Sequence, residues 1–179
     1  IQSSKGQIAN NKWSSIDGGD GDDTIASSTT LGSNKNLIYG GKGDDIINGG
    51  NGNYKIYGDT HYVRGNSNDW WWRNYGEAEY LKGGNDTITS GAGNDSIWGG
   101  YGDDIINAGN GDNKVYGGDG NDSLTGGSGV DLIEGGEGND IFQGNGGNDI
   151  YYGYTQNAVD TNTSACLLYT SDAADEVQC

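Results

Sequence analysis

From residue 86 to residue 149 a carboxylate returns every ninth position: Asp86, Asp95, Asp104, Asp122, Asp131, Asp140 and Asp149, with Asn113 standing in once. Asp23 and Asp45 occupy the same local setting upstream, in GGDGDD and GGKGDD. An acid carried on a glycine-rich turn and repeated at constant spacing suits a hard cation. Calcium takes about six to eight oxygens and accepts carboxylates and backbone carbonyls together, whereas magnesium prefers a smaller, hydrated, octahedral site. Zinc and copper ask for His or Cys, and the chain has a single His, His61, outside the acidic pattern.

The elements that carry these acids are nonapeptides. Eight abut without a gap over residues 81–152: LKGGNDTIT, SGAGNDSIW, GGYGDDIIN, AGNGDNKVY, GGDGNDSLT, GGSGVDLIE, GGEGNDIFQ and GNGGNDIYY. LGSNKNLIY, GGKGDDIIN and GGNGNYKIY fill residues 31–57 in one phase, and GGDGDDTIA covers 18–26. The aspartates take position six of the unit. Position eight is apolar throughout: Ile25, Ile38, Ile47, Ile56, Ile88, Ile97, Ile106, Val115, Leu124, Ile133, Phe142 and Tyr151. Neither a helical period nor a long alternation fits. A short strand at positions seven to nine, with position eight inward and a six-residue turn between strands, does. One unit buries too little to fold alone, so units must stack into a solenoid with a continuous core. A Gly-rich linker would not hold aliphatics in phase over so many units.

GGSGVDLIE, GGEGNDIFQ and GGYGDDIIN match GGxGxDxUx, with U a large apolar residue, at every defined position. The chain therefore resembles the repeats-in-toxin (RTX) family over 18–57 and 81–152. That resemblance implies an all-β fold, a right-handed parallel β-roll in which two nonapeptides make one turn and units stack at a spacing of eighteen. It also implies several calcium ions in the turns along both edges. Each ion would take the aspartate and two turn carbonyls from each of two stacked loops. The carbonyls would come from Gly91, Gly93, Gly100, Gly102, Gly109, Gly111, Gly118, Gly120, Gly127, Gly129, Gly136 and Gly138. One edge would stack Asp86, Asp104, Asp122 and Asp140, and the other Asp95, Asn113, Asp131 and Asp149. Asn113 keeps an oxygen but loses a charge, and Asn36 and Tyr54 depart further, so fewer ions are expected in the 18–57 block, at Asp23 and Asp45. The energetics agree. Carboxylates about 4.8 Å apart in stacked turns repel by roughly 1 kcal/mol in water and by several at an effective dielectric near 20. Without a dication the roll should fold poorly. Acids at positions three and five, such as Asp20, Asp44, Asp103 and Asp119, read as solvated charge. The Asn-Asp-Ser/Thr triplets at 85, 94 and 121 match a glycosylation acceptor pattern but read as repeat residues.

The eighteen-residue spacing sorts position nine into two outward ladders. One is Tyr39, Tyr57, Trp98, Tyr116, Glu134 and Tyr152; the other is Asn48, Thr89, Asn107, Thr125 and Gln143. The aromatic ladder has two readings, cross-strand packing and a docking face for sugar, protein or a second copy. Residues 58–80 interrupt the repeat with Trp70, Trp71 and Trp72. They also have two readings, an accessory core folded over the aromatics and an intermolecular contact. Residues 1–17, with Ile8, Trp13 and Ile16, are expected to cap the first turn. Residues 153–165 form a tail. In 166–179, the stretch CLLYTSDAADE back-translates to a sequence resembling a transposon end added during library preparation. An artefactual segment from environmental (metagenomic) DNA or a disordered tail is expected there, the alternative being an ordinary polar tail, and Cys166 and Cys179 are assigned no chemistry.

The net charge is −17 and Gly numbers 36 of 179 residues. So acidic a chain lacks the Lys and Arg that nucleic acid demands, and no apolar run approaches a membrane span. No catalytic constellation is visible, so an enzyme is not expected. The leading expectation is a secreted or cell-surface calcium-binding protein with a structural, adhesive or self-assembling role in a surface layer, matrix or filament. The alternatives are a module that binds extracellular polysaccharide and a carrier segment of a larger toxin or enzyme.

Overall fold

The structure, a computed structural model, describes residues 14–27, 36–59 and 83–153, together with short strands at 159–160, 166–169 and 176–178. Ile8, Trp13, Trp70, Trp71 and Trp72 lie outside the described residues.

Two sheets face each other, and the chain passes alternately from one to the other through about 6 turns. One sheet contains β1 (Ser14–Asp20), β3 (Asn36–Lys42), β5 (Tyr54–Asp59), β7 (Ser96–Tyr101), β9 (Lys114–Asp119), β11 (Leu132–Glu137) and β13 (Ile150–Gly153), in that order. The other contains β2 (Thr24–Ala26), β4 (Ile46–Asn51), β6 (Thr87–Ala92), β8 (Ile105–Asn110), β10 (Ser123–Ser128) and β12 (Ile141–Gly146). We call them the aromatic and the polar sheet. All pairs among these strands are parallel. Each residue in the regular stretch pairs with its equivalent eighteen positions on, as Ile97 with Val115 and Ile106 with Leu124. The pairing is continuous across the interruption: Ile47 pairs with Ile88 and Ile56 with Ile97. The fold expected from the repeat is therefore the fold observed. Beyond β13, β14 (Val159–Asp160) joins the polar sheet, β15 (Cys166–Tyr169) runs parallel to β13, and β16 (Glu176–Gln178) runs antiparallel to β15.

Strand length departs from expectation. Most strands are six residues long and run from position seven through position three of the next unit, which leaves three-residue turns at positions four to six. The reason lies in the stacking. Each residue has its equivalent directly alongside, so the glycines at positions one and two stay in the ladder instead of ending it. Only the position-two and position-four glycines, such as Gly118 (φ 129) and Gly120 (φ 143), need the left-handed half of the map. Two boundaries also shift. Ser14 to Asp17 belong to β1, where Ile16 pairs with Ile38 and packs on the core. Gly58 and Asp59 belong to β5, so the interruption begins after them.

The core is a double file of position-eight side chains, one file from each sheet. The residues from Ile25 to Tyr151 named above are at most 6% exposed. Burying each stabilises the roll by roughly 2 kcal/mol. Position one also points inward, where Gly, Ala108 or Ser90 let the sheets approach. This narrow core sets the height of the coil and so delivers the turns to two straight edges.

Candidate metal centre

The first edge joins the aromatic sheet to the polar sheet and stacks Asp23, Asp45, Asp86, Asp104, Asp122 and Asp140. Each backbone N–H in this row donates to the next aspartate's Oδ1. Asp23 N donates to Asp45 (2.8 Å), Asp45 N to Asp86 (2.8 Å), Asp86 N to Asp104 (2.8 Å), Asp104 N to Asp122 (2.8 Å) and Asp122 N to Asp140 (3.0 Å). The second edge stacks Asn36, Tyr54, Asp95, Asn113, Asp131 and Asp149, and the same ladder runs from Tyr54 N to Asp149 Oδ1. The two rows expected from the spacing are thus assembled, and the first extends through Asp23 and Asp45.

From Asp45 to Asp140 each aspartate of the two rows has Oδ1 engaged by the ladder, while its Oδ2 is left over. Oδ2 of Asp23, Asp45, Asp86, Asp95, Asp104, Asp122, Asp131 and Asp140 is buried and finds no hydrogen-bond partner among the described residues. Apart from Asp23, these aspartates are 1% exposed. Oδ2 of Asp104 lies against the Cα of Gly99, and the Gly117 carbonyl lies close by; a Cβ at Gly99 would come 2.7 Å from that carbonyl. The carbonyls of Gly91, Gly93, Gly100, Gly102, Gly109, Gly111, Gly118 and Gly120 point along the axis at the equivalent glycines of the next coil, Gly109 through Gly138. Gly127, Gly129, Gly136 and Gly138 share the positive φ of these positions.

Such burial disfavours charge. With no cation present, desolvation pushes Asp86 and Asp104 up to about 8. It pushes Asp45, Asp122 and Asp131 to about 6, and raises Asp95 and Asp140. Backbone donors oppose these shifts, and along the first row neighbouring carboxylates reinforce them. Unpaired anionic oxygens in dry turns are the complement of a dication. Among the described residues no three acidic, His or Cys side chains converge on one point. Each turn offers at most one buried carboxylate, so an ion held there must draw on carbonyl oxygens too, as calcium does and zinc does not.

The pattern of the RTX calcium-binding nonapeptide repeat (4 copies) matches residues 14–28, 32–59, 82–115, 99–133, 108–142 and 125–157. The chain belongs to that family. No curated protein and no solved structure matches it at a significant level.

Departures from the RTX pattern have visible consequences. Asn113 does more than lose a charge: its Nδ2 donates to the Gly111 carbonyl (3.0 Å), so the amide satisfies an oxygen that an ion would otherwise use. Tyr54 lies 3% exposed in the second row's turn, with its hydroxyl 3.0 Å from Ser27 Oγ. Position five, expected to be solvated charge, carries a second ladder running the opposite way. Asp103 N donates to Asn85 Oδ1 (2.7 Å), Asn121 N to Asp103 Oδ1 (2.7 Å) and Asn139 N to Asn121 Oδ1 (3.0 Å). Asp22, Asp44, Asn53, Asn94 and Asp112 accept in the same manner. The signal was present in the sequence as the prevalence of Asp and Asn at that position. It also explains Asn85, Asn94 and Asn121, whose amide oxygens serve the repeat. Position-three acids stay outside this ladder among the described residues; Asp20 pairs with Lys42, at 3.6 Å on the surface.

On the outer face Tyr39, Tyr57, Trp98 and Tyr116 form one stack, with centroids 5.2, 4.6 and 5.3 Å apart and planes within 16°. Glu134 separates this stack from Tyr152.

Proposed function

We propose that the chain is an extracellular structural module, a roll whose fold is switched on by calcium and which contributes to a surface layer, matrix or filament. The observation that carries this reading is the file of buried, unpartnered Oδ2 atoms along both edges. Leaving each anionic oxygen unpaired costs about 1–3 kcal/mol or more, and several ions shared between stacked coils remove that cost. Weak, numerous oxygen sites match the calcium concentrations outside cells, on the order of millimolar. Inside a cell the roll would stay largely unfolded, which suits a chain exported before it folds.

The aromatic stack supports a structural role over recognition of polysaccharide. Sugars dock on ring faces, and within this ladder the faces are covered by neighbouring rings, so edges and terminal faces are what remain for a partner. The reading assigns the chain no catalytic step; a carrier role beside an enzyme or toxin domain is compatible with the same roll. Circular dichroism and light scattering on the full chain, with calcium and with chelator, test the proposal. Strand signal and assembly that both depend on calcium are expected. Strand content indifferent to chelation would refute it.

A further inference from the structure

One residue of the first edge breaks the repeat in a way that bears on the ions. Position two of the unit is glycine in the neighbouring coils, Gly41 and Gly100, but in the coil between them it is Asp59, paired with Gly41 in register. Its Oδ2 accepts the Tyr101 N–H (2.6 Å), which ties the carboxylate across to the next coil. A Cβ at Gly100 would come within 2.9 Å of the Asp59 Cβ and 2.8 Å of its Cγ, so the side chain lies flat over that glycine. The charge is felt by Asp45, Asp86 and Asp104. All three are 1% exposed and keep a buried Oδ2 without a partner. No other described coil brings an extra acid to position two of either edge.

We propose that Asp59 makes the stretch of the first edge between Asp45 and Asp104 the first part of the roll to take up calcium. This rests on the calcium reading above. Ligand charge count tunes the affinity of oxygen sites. A further carboxylate about 8 Å from a dication, even at the dielectric of water, strengthens binding by about fivefold. Later ions then bind coils that are already in register.

Calorimetric titration of the calcium-stripped full chain tests it, with Asp59→Asn, Asp59→Glu and Glu134→Gln compared against the parent. Asn keeps an acceptor for Tyr101 N–H, and Glu134→Gln removes one charge from the outer face. The expected result is a tightest step weakened about fivefold in Asp59→Asn and unchanged in the other two. An unchanged tightest step in Asp59→Asn overturns the proposal. Equal weakening in Asp59→Asn and Asp59→Glu overturns it as well, because packing and not charge would then be responsible. Absence of any calcium step in the parent chain would instead sink the calcium reading itself.

Discussion

Stripped of calcium, the roll should refold in acid. Burial, reinforced along the first edge by neighbouring carboxylates, holds Asp86 and Asp104 at about 8 and Asp45, Asp122 and Asp131 at about 6, against 3.8 in an open chain. Between those values the folded, metal-free chain binds protons that the unfolded chain releases. Its stability therefore falls as pH rises from about 4 to about 8. Holding Asp122 ionised above its folded pKa costs about 3 kcal/mol, or about 2 kcal/mol once water at the edge is allowed for. Several such sites together rival the roughly 5–15 kcal/mol that keeps a domain folded. The assay is far-ultraviolet circular dichroism on exhaustively dialysed protein, between about pH 8 and about pH 5, still above the isoelectric point near 4.1. Strand signal should be lost at the alkaline end and return toward the acid end. With calcium bound the slope reverses, since ligands must be ionised. A metal-free signal that is flat or falls as pH drops would refute the reasoning.

Three further outcomes follow from single positions. Val130 interrupts the position-five ladder, accepting nothing from Asn148 where Asn or Asp would, so Val130→Asn should add about 1 kcal/mol and raise Tm by about 3 °C in calcium. Gly118 has φ 129, and a Cβ there would strike the Gly100 carbonyl; Gly118→Ala should cost about 2 kcal/mol or more in thermal melts. Asn113→Asp frees the Gly111 carbonyl and restores a charge, so calorimetry should show additional calcium uptake relative to the parent chain.

The core was legible because its period is unlike that of any helix or extended strand; where position seven is apolar too, as at Ile46, Ile105, Ile141 and Ile150, the unbroken ninefold phase still singles out position eight, and those neighbours stay exposed. The two aspartate rows followed once the stacking interval was known. Strand length was not legible: glycine ordinarily ends a strand, and only the pairing of each coil with its equivalent keeps positions one to three extended. Ile16 was missed as a repeat residue because its unit lacks the Gly and Asp marks and shows only the apolar one. The position-five acids are exposed, as expected, but their role as acceptors for the next coil was not legible, because an exposed Asp looks the same whether water or a backbone N–H faces it. Asp59 fell at the lip of an interruption, where periodicity no longer says which residues share a coil.

The most direct test of calcium as the staple between coils is a high-resolution density map of the chain crystallised in calcium. Peaks bonded to Asp104 Oδ2 and its neighbours in the row, and to turn carbonyls of adjacent coils, are the predicted result. Turns without ions, with those Oδ2 atoms paired to protein or water instead, would contradict it.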